Sequence, residues 1–84
     1  MTGMFAISRA GHDKGRLYLV VKEEGEYVYL ADGKIRTIEN PKKKKRKHVQ
    51  PVTTGIDKAL AEKISSAQTV YNEEIKFAIK IRAK

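Results

Sequence analysis

The chain has 84 residues, no cysteine and a formal net charge of +8. Its length favours one small domain with a thin core, and the absence of cysteine excludes disulfides and thiolate metal sites. No apolar run approaches the roughly 20 residues of a membrane-spanning helix, and residues 1–10 lack the apolar stretch of a signal peptide. The sequence therefore predicts a cytoplasmic protein.

The first half of the chain has the pattern of short β-strands. Its apolar runs are rich in β-branched and aromatic side chains, which favour strands, and they cover residues 4–7, 17–21 and 27–31. Gly25 stands between two glutamates where the last two runs are separated, and it indicates a hairpin turn.

Further strand signals come next. Asp32-Gly33 is typical of a two-residue hairpin, and apolar and polar side chains alternate imperfectly over residues 34–39, which predicts a fourth strand with a bulge. Asn40-Pro41 ends this strand, and residues 48–52 are expected to form a last short strand, at an edge because they contain a proline. Four or five short strands with tight turns predict a small barrel, since closure leaves no exposed edge.

The tail changes to helical spacing. A capping-box-like start at Thr54 and apolar residues at intervals of three to four predict a helix from about residue 56 to residue 66. Asn72 is expected to cap a second helix, whose apolar stripe is followed by basic residues up to Lys84.

Most of the positive charge lies in one segment. Residues 34–48 contain eight basic residues and one acid, whereas the rest of the chain contains ten basic and nine acidic residues. Such a concentration attracts polyanions through counterion release. The run from Lys42 to Lys47 therefore predicts contact with a polyanion. A solvated face and a nuclear localisation signal are the alternatives for this run.

A glycine-bounded basic loop joins the first two predicted strands. Gly11 and Gly15 allow a positive φ and a close approach of the backbone to a ligand, and Arg9, Lys14 and Arg16 surround them with cations. This arrangement predicts a phosphate-binding loop.

The segment from Phe5 to Val21 resembles a KOW motif, which occurs in ribosomal proteins and transcription elongation factors. The whole chain resembles the small bacterial KOW-domain RNA-binding proteins, which are similar to the archaeal and eukaryotic large-subunit ribosomal protein fourteen-e. The matching features are Ala10-Gly11-His12-Asp13-Lys14-Gly15-Arg16, Leu30-Ala31-Asp32-Gly33, Arg36, the stretch from Pro41 through Lys47-His48 and residues 72–79.

The resemblance implies a mainly β fold. Residues 1–52, with the basic strip 42–48, would form an SH3-like barrel of KOW type with four or five short strands, and residues 53–84 would form a helical extension packed on or beside it. It also implies a ribosomal or ribosome-associated RNA-binding protein that contacts large-subunit rRNA, with neighbouring ribosomal proteins as further partners. The expected RNA-binding residues are Arg9, Gly11, His12, Lys14, Gly15, Arg16, Lys34, Arg36, Lys42, Lys43, Lys44, Lys45, Arg46, Lys47 and His48.

Other functions fit the residues less well. A KOW-type protein-interaction module of the transcription or translation machinery is the main alternative, with the C-terminal helices as its docking surface, and non-specific binding of duplex DNA is another. His12-Asp13 has no plausible nucleophile beside it, so we expect no enzyme; Asp13 is expected to tighten the turn and His12 to contact RNA or solvent. The two histidines are far apart in a chain without cysteine, so we expect no metal, cofactor, small-molecule substrate or membrane partner.

The tyrosines of the predicted strands lead to a second hypothesis, which concerns contact with RNA bases. Tyr18 is expected in the core. Tyr27 and Tyr29 share one sheet face and alternate with Val28 and Leu30, which are better core candidates. The two tyrosines are therefore expected to be more exposed, where they would stack on unpaired RNA bases.

Overall fold

The computed structural model describes residues 1–53, 55 and 57–82, which form a mainly β fold with two C-terminal helices. In chain order its elements are β1 (Phe5–Ser8), β2 (Leu17–Glu24), β3 (Tyr27–Ala31), β4 (Lys42–Lys45), a 3-10 turn (Arg46–His48), β5 (Val49–Val52), α1 (Lys58–Ser65) and α2 (Asn72–Arg82). The strands form one antiparallel sheet in the order β4-β3-β2-β1-β5. The predicted fold class is confirmed at this level.

The fourth strand is not where the sequence predicts it. Residues 34–39 form no strand, so the predicted hairpin at Asp32-Gly33 is wrong. Instead, Asp32 closes a turn in which its Oδ1 accepts hydrogen bonds from the backbone amides of Lys34 and Arg36, both at 2.9 Å. These bonds satisfy locally the amides that a hairpin would have paired across strands. The lysine run itself, β4, pairs with β3 in their place.

The sheet is strongly curved. β4 and β5 are its two edges, yet only Arg46–His48 separate them in the chain. Four strand spacings in a flat sheet would separate the edges by roughly 19 Å, whereas the Cα atoms of Lys45 and Val49 can be at most about 15 Å apart. A register shift in the pairing of β2 with β3 lies between Val20 and Lys22, and such a bulge bends a strand. Curvature therefore brings the two edges towards each other.

Both faces of the sheet are buried over part of their area. One cluster contains strand residues: Ala6, Tyr18, Val20, Val28, Leu30 and Val49. The other lies between the sheet and the helices and contains Phe5, Leu19, Ala31, Leu60, Val70, Ile75 and Ala78. Neighbouring residues of β1 and β2 serve different clusters because side chains alternate along a strand. The expected burial of Tyr18, Val28 and Leu30 is confirmed.

The helices start close to their predicted positions, but the side chains at their N-termini make different contacts from those predicted. The Asp57 side chain accepts a hydrogen bond from the Leu60 amide at 3.0 Å and caps α1. Because a cap precedes the first helical residue, α1 begins at Lys58, close to the predicted start near residue 56. Of the residues used in the predictions, Thr54, Ile56 and Lys84 lie outside the described ones.

α2 begins at Asn72 itself, and the prediction that the Asn72 side chain caps this helix is wrong. Its Oδ1 accepts a hydrogen bond from the Ile38 amide at 2.8 Å, which ties the β3–β4 connection to the helix. Glu74 Oε2 accepts from the Tyr71 amide at 2.9 Å, as the third residue of a capping box does. Neither helix, over the residues described, is long and apolar enough to cross a membrane.

Candidate nucleic-acid interface

A buried aspartate joins two basic segments that are far apart in the sequence. Asp13, in the loop between β1 and β2, is only 7% exposed. Its carboxylate accepts hydrogen bonds from Ser8 Oγ at 2.9 Å and Tyr18 OH at 3.2 Å. It also forms ion pairs with Lys44 Nζ at 2.7 Å and Lys42 Nζ at 3.0 Å. These contacts fix β4 against the β1–β2 loop.

Lys44 is a structural member of the lysine run. Its side chain is 9% exposed, and its ammonium donates to Ser8 Oγ at 2.7 Å, to the Ala10 carbonyl at 2.6 Å and to Asp13 Oδ1 at 2.7 Å. An ammonium has three protons to donate. These three hydrogen bonds therefore satisfy it within the protein.

The ion pairs determine the ionisation of Asp13. Burial raises the pKa of this carboxyl, but hydrogen bonds from Lys44, Lys42 and Ser8 stabilise the charged form and hold the pKa well below its usual range. Burial and the charge of Asp13 raise the pKa of Tyr18, so its hydroxyl remains protonated and donates to the carboxylate. Asp13 is therefore a fixed negative charge at neutral pH.

The pleat of β4 divides its lysines into two sets. Lys42 and Lys44 bind Asp13 and are partly covered, whereas Lys43 and Lys45 are exposed. Side chains alternate between the two faces of a strand, so Lys43 and Lys45 project from the face opposite to the Asp13 cluster. A run of identical residues thus has two different structural roles.

The β1–β2 loop has the backbone conformation that its glycines predict. Gly11 and Gly15 have φ angles of 85° and 89°, in the region that favours glycine. The amides of Lys14, Gly15 and Arg16 donate to carbonyl groups of the same segment at 2.8 to 3.2 Å. Because these three amides are used internally, phosphate contact here would depend on the exposed side chains of Arg9, Lys14 and Arg16.

The other candidate segments lie close to this loop. Antiparallel pairing places the end of β1 beside the start of β2, and the end of β3 beside the start of β4. The β1–β2 loop and residues 32–41 therefore leave the sheet at the same end. The 3-10 turn also meets the loop, since the Arg9 amide donates to the His48 carbonyl at 2.8 Å.

The predicted RNA-binding residues differ in exposure. Ten are exposed: Arg9, Gly11, His12, Lys14, Gly15, Arg16, Lys34, Lys43, Lys45 and Lys47. Five are partly buried: Arg36, Lys42, Lys44, Arg46 and His48.

The sequence interpretation missed the central role of Asp13. Its carboxylate does bind Ser8 and Tyr18 on either side of the loop, as a local role would require, but it also binds Lys42 and Lys44 of β4. One signal was available: Asp13 is the only acid among the first 22 residues and lies in a basic loop. The partner lysines could not be chosen from sequence, because the register of β4 decides which lysines face it.

A second candidate surface, the tyrosine face, is formed by Lys22, Glu24, Tyr27, Tyr29, Lys43 and Lys45. Strand pairing aligns these residues in two rows, Lys22–Tyr29–Lys43 and Glu24–Tyr27–Lys45. Lys22 Nζ lies 5.4 Å from the centre of the Tyr29 ring, and Lys43 Nζ lies 4.3 Å from the centre of the Tyr27 ring. Both tyrosines are half-buried, which confirms that they are more exposed than Val28 and Leu30.

The described residues provide no cluster of metal ligands. Within them, three or more His, Cys, Asp or Glu side chains nowhere come together in a way that could hold a metal ion. Comparison with known proteins gives no match, either to a protein-family model or to a curated protein.

Proposed function

We propose that the protein is a cytoplasmic RNA-binding protein, ribosomal or ribosome-associated, that contacts large-subunit rRNA through its loops and its lysine-rich strip. One observation carries the proposal: the ion pairs of Asp13 with Lys42 and Lys44 hold the basic β1–β2 loop against β4. Two basic segments that are distant in the sequence therefore meet, and their exposed cations are proposed to form one surface. Neighbouring cations repel one another, and a polyanion that binds them relieves this repulsion.

The residues proposed to contact RNA are the exposed cations of this surface. Arg9, Lys14 and Arg16 surround the β1–β2 loop, Lys34 lies in the segment beside it, and Lys47 follows β4. Lys44 is proposed as a positioning residue, since its ammonium is satisfied internally. Contacts of this kind are made to phosphates and supply affinity with little sequence information.

We also propose that the curved sheet is an SH3-like barrel of the KOW type. Its support is the KOW resemblance together with the short link between the two sheet edges, the bulge in β2 and the strand-only core cluster. A bulge and strong curvature are the devices by which a small sheet closes.

Binding, and not catalysis, is the proposed role of the loop. The Asp13 carboxylate already forms two ion pairs and accepts hydrogen bonds from two hydroxyl groups. A carboxylate that is held charged in this way is a poor general base, because its pKa lies far below neutral pH.

The test is the salt dependence of RNA binding. We expect a labelled, folded rRNA fragment to bind with a logarithmic salt slope of roughly −3 to −5, since about five phosphates would be neutralised. Duplex DNA of equal charge should bind more weakly, and the protein should sediment with large ribosomal subunits. A slope near zero, or equal affinity for duplex DNA, would contradict the proposal.

A second candidate, a protein-interaction module of the transcription or translation machinery, is favoured by the apolar surface of α2. Phe77 and Ile81 are exposed one helical turn apart and line a recess of about 520 Å³ between the two helices. A complex with a ribosomal protein or an elongation factor that survives nuclease and about 0.5 M salt, and is lost in Phe77→Glu, would support this function.

A further inference from the structure

We propose that the tyrosine face is a binding site for unpaired RNA nucleotides, with one base stacked on Tyr27 and one on Tyr29. The inference rests on the proposed RNA-binding function and adds the class of RNA element that this surface recognises. The site is separate from the Asp13 cluster, because Lys43 and Lys45 project from the opposite face of β4 to Lys42 and Lys44.

The helices leave this part of the sheet uncovered. Tyr27, Tyr29 and Ala31 are alternate residues of β3 and share one face. Ala31 is fully buried in the cluster between sheet and helices, whereas neither tyrosine belongs to a core cluster. The helical layer therefore ends between Ala31 and the tyrosines, and beyond that boundary two aromatic side chains remain partly accessible.

The register gives each tyrosine charged neighbours on both sides. Tyr29 lies between Lys22 and Lys43, and Tyr27 lies between Glu24 and Lys45. The four charged residues are exposed. Opposite residues of antiparallel strands point to the same face, so three cations and one acid surround two rings. A positively charged groove with aromatic platforms is the chemistry that binds single-stranded nucleic acid.

The lysines that lie over the two tyrosine rings can turn away from the rings and bind phosphates. Lys43 Nζ is 4.3 Å from the Tyr27 ring centre and Lys22 Nζ is 5.4 Å from the Tyr29 ring centre. Both lysines are exposed and have long side chains that reorient easily. A base that stacks on a ring would replace the ammonium, which could then pair with the phosphate of the same strand.

A basic recess extends the surface beyond Tyr27. Its volume is about 420 Å³, and it is lined by Gly25, Glu26, Lys45, Arg46 and Lys47. Lys45 belongs to both the recess and the tyrosine face. Arg46 is held in place by a hydrogen bond to the Gly25 carbonyl at 3.0 Å. The next phosphate of a bound strand would therefore meet cations at this position.

Only unpaired nucleotides fit this mode of binding. Bases in a duplex have their faces covered by the stack, and proteins recognise bases in RNA mainly at loops, bulges and ends, where the bases can be splayed out. The expected ligand is an exposed loop or single-stranded tail of a folded RNA, while the loop cations hold the phosphates of its paired part.

The experiment compares two labelled RNA strands with the full chain. One is an oligo(A) of about ten nucleotides, within the range of single-strand binding sites; the other has the same length and charge but lacks bases at its central positions. Wild-type protein is expected to bind the normal strand at least about fivefold tighter, since stacking of one base on an aromatic ring corresponds to roughly 5- to 150-fold in affinity.

Paired variants separate the ring from the hydroxyl. In Tyr27→Leu with Tyr29→Leu the preference for the normal strand should disappear, whereas Tyr27→Phe with Tyr29→Phe should keep it. 2-Aminopurine placed in the normal strand should be quenched by the wild-type and phenylalanine proteins only. Circular dichroism checks that the leucine variant is folded; if it unfolds, the comparison of the two strands on wild-type protein still decides.

Each outcome has a defined meaning. Equal wild-type affinity for the two strands, or a leucine variant that is folded and keeps the preference, would overturn the stacking site even while folded rRNA still binds with a steep salt dependence. Failure of wild-type protein to bind either the strands or folded rRNA would overturn the proposed function itself, and the inference with it.

Discussion

Replacing Asp13 with Asn would remove the carboxylate that joins the β1–β2 loop to β4. The amide could still bind Ser8 or Tyr18, but the Lys44 ammonium, with its side chain 9% exposed, would lose its counterion. Breaking a buried ion pair on one side costs about 3–5 kcal/mol. The side chain of Lys42 is 27% exposed and can turn towards water, so we expect a loss of about 3 kcal/mol, at the lower end of that range.

This loss of stability would be a large fraction of the total free energy of unfolding. At 0.05–0.15 kcal/mol per residue, the free energy of unfolding of the domain is roughly 4–13 kcal/mol, and a loss of about 3 kcal/mol corresponds to a fall in Tm of roughly 12–24 °C. Urea unfolding and thermal unfolding followed by circular dichroism would measure it. Adding Lys44→Met to Asp13→Asn should recover part of the stability, because the unpaired buried ammonium is then removed.

The matched control is Glu24→Gln. Glu24 also forms an ion pair with a lysine, Lys22, at 3.4 Å, but both side chains are 62% exposed. Exposed pairs contribute about 0–1 kcal/mol, so this variant should unfold almost as the wild type does. The reasoning would be refuted if Asp13→Asn lay within about 0.5 kcal/mol of the wild type, because the ion pairs would then be solvated and not structural.

Three further predictions follow from particular groups. The pKa of Asp13 in the folded protein lies well below the value of about 3.9 expected in the unfolded chain, so its stabilising effect should be complete above about pH 5 and decrease as the pH falls. In acid urea titrations this carboxyl should contribute a slope of up to about 1.4 kcal/mol per pH unit. Asp13→Asn should remove this contribution and leave that of Glu23 and Glu74, whose pKa values are also lowered; an unchanged slope would contradict this. Gly33 has a φ of 81° and a Cβ added there would collide with the Asn72 carbonyl, so Gly33→Ala should lower the free energy of unfolding by roughly 2 kcal/mol or more. Gly15→Ala, with a similar φ and no atom within 4 Å of the added Cβ, is the control and should cost less. Lys43→Gln should weaken RNA binding and reduce the magnitude of its salt slope by roughly 0.7–0.9 if Lys43 contacts one phosphate, and an unchanged slope in anisotropy titrations would exclude that contact.

Much of the local structure could be predicted because it depends on neighbouring residues. The apolar runs of the first half became β1, β2 and β3, and the glycines at 11 and 15 adopt the positive φ expected of them. The two helices also follow from the helical spacing of apolar residues, although Asp57 caps α1 and the Asn72 side chain binds the Ile38 amide. The strand predicted after Asp32 is wrong, because the Asp32 side chain binds two nearby backbone amides and so favours a turn over the strand that a weak alternation of apolar residues indicates.

The basic strip, the glycine loop, the strand pattern and the helical tail can be recognised in the amino-acid order, since charge, backbone freedom and periodicity are properties of adjacent residues. The use of each lysine depends instead on contacts in the folded protein. Period-two alternation requires that Lys42 and Lys44 face one way and Lys43 and Lys45 the other, but it does not say which pair meets Asp13. That choice depends on the register of β4 against β3 and on the curvature of the sheet, which are set by contacts between residues distant in the chain.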